Sequence, residues 1–405
     1  MNETIYFSLT VISCLIWLGL LTLRGGFWLS NQRLMTKTTK LEKWPSVCVV
    51  IPARNEADLI PTTLPSLLTQ DYPGSMRVIL VDDGSRDGTA NIAREVAAHT
   101  KRDKLLEVIT TKPLPSGWTG KLHALAEGIR HGEQYNPDYF LFTDADIQHH
   151  DTNIRELVLK GEEEDLDLVS LMVLLRCENF WEKLLIPAFV FFFQKLYPFS
   201  WVNDPSRQTA AAAGGCILIS RQAYEGIGGI EAVRDALIDD CALAQAVKTR
   251  KPANIWLGLT EMTRSLRPYP SLDTIWNMVA RTAFTQLNYS PLLLIGTTIA
   301  MTIIYLVPPV ALVLGGVFGW KFVVGAGIFG WLLMAVAFVP TLKLYGRVPL
   351  WSFSLPAIAF LYTLMTLDSA LRHWQGKGGA WKGRVYGRGR SNPAYCSILV
   401  KGRER

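Results

Sequence analysis

The sequence predicts an α/β domain on a mostly parallel sheet, with an apolar anchor before it and membrane helices after it. Three observations carry this. Between residues 46 and 160, β-branched runs alternate with helical stretches across short loops, the pattern of a parallel, doubly wound sheet. Residues 5–23 form an uncharged apolar run, and the chain becomes apolar again from Pro291. The overall hydrophobic content of 49% and the 13 tryptophans are high for a soluble protein because the excess sits at the two ends.

About 20 apolar residues span a bilayer, so residues 5–23 suffice. Met1-Asn-Glu-Thr lacks the positive charge of a secretory signal and no small-x-small site follows, so a retained anchor over 1–25 is expected. Arg24, Arg33, Lys37, Lys40 and Lys43 then face only Glu42, which by the positive-inside rule puts the N-terminus outside and the next domain, 44–262, in the cytoplasm. Within it, residues 46–51, 76–81, 105–109 and 139–143 read as strands, and 57–68, 89–99 and a stretch opening at Gly120-Lys121 read as helices. Further on come a helix over 151–160, a strand over 168–175, and an aromatic helix over 180–195 that is either interfacial or buried. A strand over 217–220 and a helix over 238–247 complete the domain.

Residues 263–290 read as an amphipathic connector, 291–371 as transmembrane helices and 372–405 as a basic tail. The last apolar run, 350–371, contains Pro356 and Asp368; either it crosses, leaving the tail outside, or it is re-entrant or interfacial. The net charge of +6 is local: from Arg372 onward nine basic residues accompany one acid, leaving 32 basic against 34 acidic elsewhere. Such a tail fits an anionic lipid surface, and no nucleic-acid-reading motif is present. The six cysteines, at 14, 48, 177, 216, 241 and 396, show no zinc spacing and no disulfide framework, which fits a reducing compartment.

Acids mark the strand ends. Asp144 and Asp146 stop the apolar run 139–143, at the rim where open α/β sheets bind ligands. Two hard oxygen ligands there suit Mg²⁺ or Mn²⁺; the alternative is an ordinary helix N-cap. Asp165 and Asp167 share the spacing but follow Gly161-Glu-Glu-Glu164 and read as a solvated turn. Asp82-Asp83 end an earlier strand, and Asp239-Asp240 open a helix in which capping occupies one acid at most. Gly214, Gly215 and Cys216 follow four alanines, and small residues let a backbone approach a ligand closely. His149 and His150, just after the acid pair, are metal ligands or structural side chains.

Together, Pro52-x-x-Asn55-Glu56, Asp82-Asp83-Gly84-Ser85, Gly120-Lys121, Asp144-x-Asp146 and Asp239-Asp240-x-x-Leu243 resemble, in order and spacing, the family-2 glycosyltransferases of the GT-A fold. The resemblance covers residues 46–259. Trp118-Thr-Gly-Lys121, Ala212-Ala-Gly-Gly-Cys216 and Arg281-Thr-Ala-Phe-Thr-Gln-Leu287 are most similar to the hopene-associated glycosyltransferases of bacterial hopanoid gene clusters.

The resemblance implies a GT-A, Rossmann-like catalytic domain and a nucleotide-sugar donor, UDP-linked in the simplest case. Pro52, Asn55 and Glu56 would contact base and ribose, Asp83 the pyrimidine, and Lys121 at its helix N-terminus the diphosphate. Asp146 would hold Mg²⁺ or Mn²⁺, with Asp144 supporting metal or ribose, and Asp240 would be the general base of an inverting transfer, helped by Asp239. Gly214, Gly215, Cys216 and Gln286 fall on the acceptor side. Processive members carry Gln-x-x-Arg-Trp, where this chain has Gln286-Leu-Asn-Tyr289, so a single transfer to a lipid is expected, a hopanoid alcohol or related polyprenoid. The expected location is the bacterial inner membrane, multi-pass, with the catalytic domain cytoplasmic. Competing readings are a polysaccharide synthase that also exports, and a catalytically silent nucleotide-sugar-binding scaffold. A dinucleotide-dependent dehydrogenase is disfavoured because no G-x-G-x-x-G follows the first strand.

Overall fold

A computed structural model describes residues 2–35, 41–250 and 253–377, with the backbone of two short paired strands, Ala380–Trp381 and Arg384–Val385. Most of the basic tail expected over 372–405 lies outside the described residues, as do Lys37 and Lys40. The chain divides into two compact units. One comprises Met1–Ser30, Cys177–Ser200 and Tyr269–Ala380, and the other is built from Asn31–Arg176 and Trp201–Pro268.

The second unit is α/β. Its strands are β1 (Val47–Ala53), β2 (Met76–Asp82), β3 (Leu106–Thr110), β4 (Tyr139–Thr143), β5 (Ile147–Gln148), β6 (Leu168–Leu175), β7 (Cys216–Ser220) and β8 (Ile255–Ser265). They form one sheet in the order β3-β2-β1-β4-β7-β6-β8-β5. β3, β2, β1 and β4 are mutually parallel and β6 is parallel to β8, while β7 and β5 run against their neighbours. The sheet is thus mostly parallel, as expected, and β1 is buried along its whole length, which explains its uninterrupted apolar composition. Because β7 opposes β4, with Cys216 beside Thr143, the glycines that precede β7 arrive at the same rim as the acids that follow β4.

The helix Gly120–Gly132 packs on β1 and β2, and a glycine makes the approach possible. A Cβ at Gly128 would lie 2.4 Å from Val50 Cγ1 and 2.7 Å from Val81 Cγ2. Both valines are fully buried and have nowhere to go.

The first unit is helical. Four of its helical stretches are long and apolar enough to cross a membrane: Glu3–Leu23, Pro291–Phe318, Lys321–Leu344 and Pro349–Trp374. Large apolar side chains such as Leu15, Leu292, Val313 and Phe322 are exposed on them, as lipid-facing positions require. The aromatic helix Phe180–Leu196 also belongs here. Its capping box joins Asn179 to Glu182, and Leu185, Ile186, Val190 and Phe191 are fully buried, so this helix is part of the helical core. Asp368, in the last long stretch, accepts from Trp276 Nε1 and pairs with Arg372, both at 2.7 Å.

The second long stretch contains a π-helical turn, Thr302–Leu306, separated by Val307 from Pro308-Pro309. Pro308 has no N–H, so the Ile304 carbonyl four residues earlier loses its helical donor. Trp17 Nε1 at 2.8 Å and Ser13 Oγ at 3.3 Å, both from Glu3–Leu23, donate to it instead. In an apolar surrounding an unsatisfied carbonyl costs several kcal/mol, roughly, so the first helix repairs the second.

Gly128→Ala tests the packing. Alanine is worth up to about 1 kcal/mol over glycine inside a helix, but overpacking costs typically about 1–3 kcal/mol. The expected result is a lower thermal unfolding midpoint in detergent, whereas a rise would show that the valines can yield.

Candidate active site

The acids after β4 sit on a pinned turn. The Ile147 N–H donates to the Asp144 carbonyl at 3.2 Å, and Thr63 Oγ1 donates to the carbonyl of buried Ala145 at 2.7 Å. Ala145 therefore points inward while the flanking aspartates hold the rim. Asp146 is buried; its Oδ2 accepts from Ser265 at 2.5 Å and its Oδ1 from Arg267 Nη2 at 3.2 Å. Arg267 also reaches Glu56 Oε1 at 2.7 Å.

Asp144 faces the other way, onto Lys121. Lys121 Nζ lies 2.9 Å from Asp144 Oδ1 and 3.4 Å from Asp239 Oδ2. Its helix is capped by Thr119, whose side chain accepts from Leu122 N–H. Burial alone would lower the lysine's pKa, but Asp144 and Asp239 outweigh it and raise it, so the ammonium stays charged. Asp240 accepts the Gly214 N–H on Oδ2 at 2.9 Å and the Cys241 N–H on Oδ1 at 2.7 Å. Burial first, then the neighbouring Asp239, push its pKa up to about 6 against the opposing pull of Lys121. A Cβ at Gly214 would stand 3.2 Å from Lys121 Nζ and 3.4 Å from Asp240 Oδ2, so glycine keeps this corner open.

Pro52, Lys121, Asp144, Gly214, Asp239 and Asp240 line one cleft that opens to solvent. Glu56 and Asp146 join through Arg267 beside it. Asn55 and Asp83 stitch the loops after β1 and β2 together. Asn55 has φ +51°, its Oδ1 accepts the Arg86 N–H at 2.9 Å, and its own N–H donates to Ser85. Asn55 is thus not a helix N-cap, since the following helix begins at Ile60. Asp83 is buried, accepts from Thr111 Oγ1 at 3.2 Å and is held by Arg54, which also donates to its carbonyl.

Three sequence candidates fall elsewhere. Gly215 packs against Val173 and Ile147, and the buried Cys216 thiol lies 3.8 Å from Asn153 Nδ2, its pKa pushed up to about 12 by burial. Gln286 lies in the helical unit, where its Oε1 accepts from the Tyr197 hydroxyl at 2.8 Å.

Of the two histidines, His149 is a structural link. Asn153 Nδ2 donates to its Nδ1, its Nε2 donates to Thr143 Oγ1, and Thr143 donates to the Gly215 carbonyl. Burial pushes its pKa down to about 3, so the ring is neutral and both nitrogens are used. His150 meets Thr152 through Nδ1.

Mg²⁺ and Mn²⁺ take one or two carboxylates together with phosphate oxygens and water, and the carboxylate of Asp146 is a donor of that kind, with Asp144 turned toward Lys121. Among the described residues no group of three or more His, Cys, Asp or Glu forms a closed cage. Sequence reasoning missed Arg267 and Ser265. The one local hint was that β8 begins apolar, at residues 255–259, and ends polar, at Thr263-Arg264-Ser265.

A mixed α/β sheet with acids and a lysine at the carboxyl rim is of the GT-A type. Residues 48–228 match the family model Glycosyl transferase family 2. The 4,4'-diaponeurosporenoate glycosyltransferase of Staphylococcus aureus (strain N315) is 27% identical over 240 residues, 58% of this chain and 60% of that protein. The probable glycosyltransferase YdaM of Bacillus subtilis (strain 168) is 31% identical over 155 residues, 36% of this chain and 34% of that protein. The chain thus spans at most 60% of the length of these relatives. The mannosyltransferase PcManGT from Pyrobaculum calidifontis, solved with GDP-Man and Mn²⁺, superposes with a TM-score of 0.53 over 91% of this chain and 99% of that one. At 18% identity that likeness is one of fold.

Lys121→Met should lower stability most where the acids are ionised. Without the ammonium, Asp144 and Asp240, whose pKa values burial already raises, lose the charge that pulls them down, a penalty that is absent at low pH and grows as pH rises. The variant's thermal midpoint, measured against wild type, should recover between pH 8 and pH 5. A pH-independent deficit would disprove the electrostatic account.

Proposed function

We propose that this protein is a membrane-bound, inverting, metal-dependent glycosyltransferase that moves one sugar from a nucleoside diphosphate donor to a lipid acceptor. The observation that carries the reading is the cleft in which Lys121 stands between Asp144 and Asp239 beside Asp240. The acceptor oxygen attacks the anomeric carbon, the bond to the diphosphate breaks, and the hydroxyl proton passes to the Asp240 carboxylate. A carboxylate with a pKa near 6 is ionised at neutral pH yet basic enough to accept that proton. The Gly214 and Cys241 amides hold it in place. Lys121 supplies positive charge toward the departing diphosphate from a helix N-terminus. Asp146, with Asp144, would hold Mg²⁺ or Mn²⁺, which would supply Lewis-acid stabilisation of the leaving group. Glu56 and Asn55, with Pro52 and Asp83, frame the nucleoside, which we take to be uridine.

Two further facts support the lipid acceptor. Among the described residues four stretches are suited to crossing a membrane, and the staphylococcal relative is named for glycosyl transfer with 4,4'-diaponeurosporenoate. We take the acceptor here to be an isoprenoid-derived lipid, a hopanoid alcohol being the specific reading. The catalytic unit is taken to face the cytoplasm of a bacterial inner membrane.

The test is sugar transfer by the full chain in lipid, with Mn²⁺ or Mg²⁺, a panel of nucleotide sugars and extracted bacterial lipids, read by mass spectrometry. One added sugar per lipid is expected; long glycan chains would refute the single transfer. Asp240→Asn should lower kcat by about 10²–10⁴-fold, and an unchanged rate would remove Asp240 as the base. Because Asp240 acts ionised, kcat/KM should be flat above about pH 6 and fall tenfold per unit below it. Lys121→Met should move that break upward, since the lysine holds the pKa down.

A further inference from the structure

Arg267 is placed by backbone pairing rather than by any motif. β5 pairs with the end of β8, Ile147 opposite Ser265, and the Leu266 N–H donates to the Asp146 carbonyl at 2.9 Å. The Arg267 N–H donates to the Ser265 hydroxyl at 3.4 Å, and that hydroxyl donates in turn to Asp146 Oδ2. The guanidinium Nη2 then spans Asp146 Oδ1 and Glu56 Oε1. Both oxygens of a buried aspartate are therefore engaged, one by a hydroxyl and one by a cation. A divalent ion that comes to Oδ1 meets a like charge already in place.

We propose that Arg267 is a resident counter-cation of Asp146 that makes divalent-metal binding conditional on the donor's diphosphate. The proposal rests on Asp146 being the metal ligand. In a low-dielectric pocket the ion and the guanidinium repel, so Arg267 has to leave Oδ1 when the ion arrives. Its side chain is 30% exposed and swings beyond a tethered backbone, so the move requires no shift of β8. Leaving forfeits a charge-assisted hydrogen bond unless another anion accepts it. A diphosphate does so, and the planar guanidinium fork matches its oxygens. Glu56 keeps hold of the same group, so the nucleoside side of the site and the metal side share one arginine. Metal and nucleotide then strengthen each other's binding by equal factors.

The experiment titrates Mn²⁺ into the full chain in lipid nanodiscs, reading free Mn²⁺ by electron paramagnetic resonance, alone and with UDP or GDP. Wild type should bind Mn²⁺ weakly alone and about tenfold or more tightly with a nucleoside diphosphate, the order of one charge-assisted hydrogen bond. Arg267→Gln should bind Mn²⁺ alone about tenfold more tightly than wild type and lose most of the nucleotide coupling. Arg267→Lys, which keeps charge but not the fork, should fall between and stands in if the glutamine variant does not fold. Mn²⁺ binding to the nucleotide-free variants no tighter than to wild type overturns the proposal. Asp146→Asn should abolish Mn²⁺ binding in every state; if it binds as wild type does, the metal assignment of Asp146 fails, a result separable from the behaviour of Arg267.

Discussion

Five carboxylates, Glu56, Asp144, Asp146, Asp239 and Asp240, converge on the rim of one sheet, and two cations make that arrangement tolerable. Lys121 balances Asp144 and Asp239, and Arg267 balances Asp146 and Glu56. Clustered acids without partners would each be driven toward protonation or would push the loops apart. In the proposed reaction the same two cations would meet an incoming diphosphate, so the charge balance that permits folding is also what a donor would disturb. The turn chemistry serves this balance: Thr63 fixes Ala145, and the His149–Asn153–Thr143 chain fixes Gly215 beneath the cleft.

What was legible in the sequence was local. β1 and β4 announce themselves by apolar, β-branched composition, and their polar ends fall at the sheet's carboxyl rim because parallel pairing puts them there. The second Asp-x-Asp illustrates why context matters more than spacing. Asp165 takes φ +49° in a turn, and Asp167 accepts the Asn254 N–H at 2.9 Å, so both are committed to the backbone. Arg267 was illegible for the opposite reason: its partners lie 121 and 211 residues away and meet it only because a two-residue strand pairs with the end of β8. Cys216 looked like part of a small-residue approach to ligand, yet it opens β7 with its thiol buried in the core, while Gly214, in the turn before the strand, lines the cleft. No motif states which donor or which acceptor would be chosen, because such choice is made by pocket shape.

The membrane segments show how far composition reaches. Apolar runs marked the four stretches, since length and hydropathy are sums along the chain. The fate of the aromatic helix Phe180–Leu196 was ambiguous, because apolar periodicity is the same for a helix lying at an interface and one packed in a bundle. Only its neighbours, Phe27 and Phe338 against Phe191, decide.

The Ile304 carbonyl has a consequence for how the N-terminal helix is regarded. A segment that merely tethers an enzyme to a bilayer can be exchanged for any other span of similar length. Here Trp17 and Ser13 complete the hydrogen bonding of a distant helix at its prolines, so the first span is a fitted component, and a generic leader or a shortened soluble form would leave a polar wound inside the bundle.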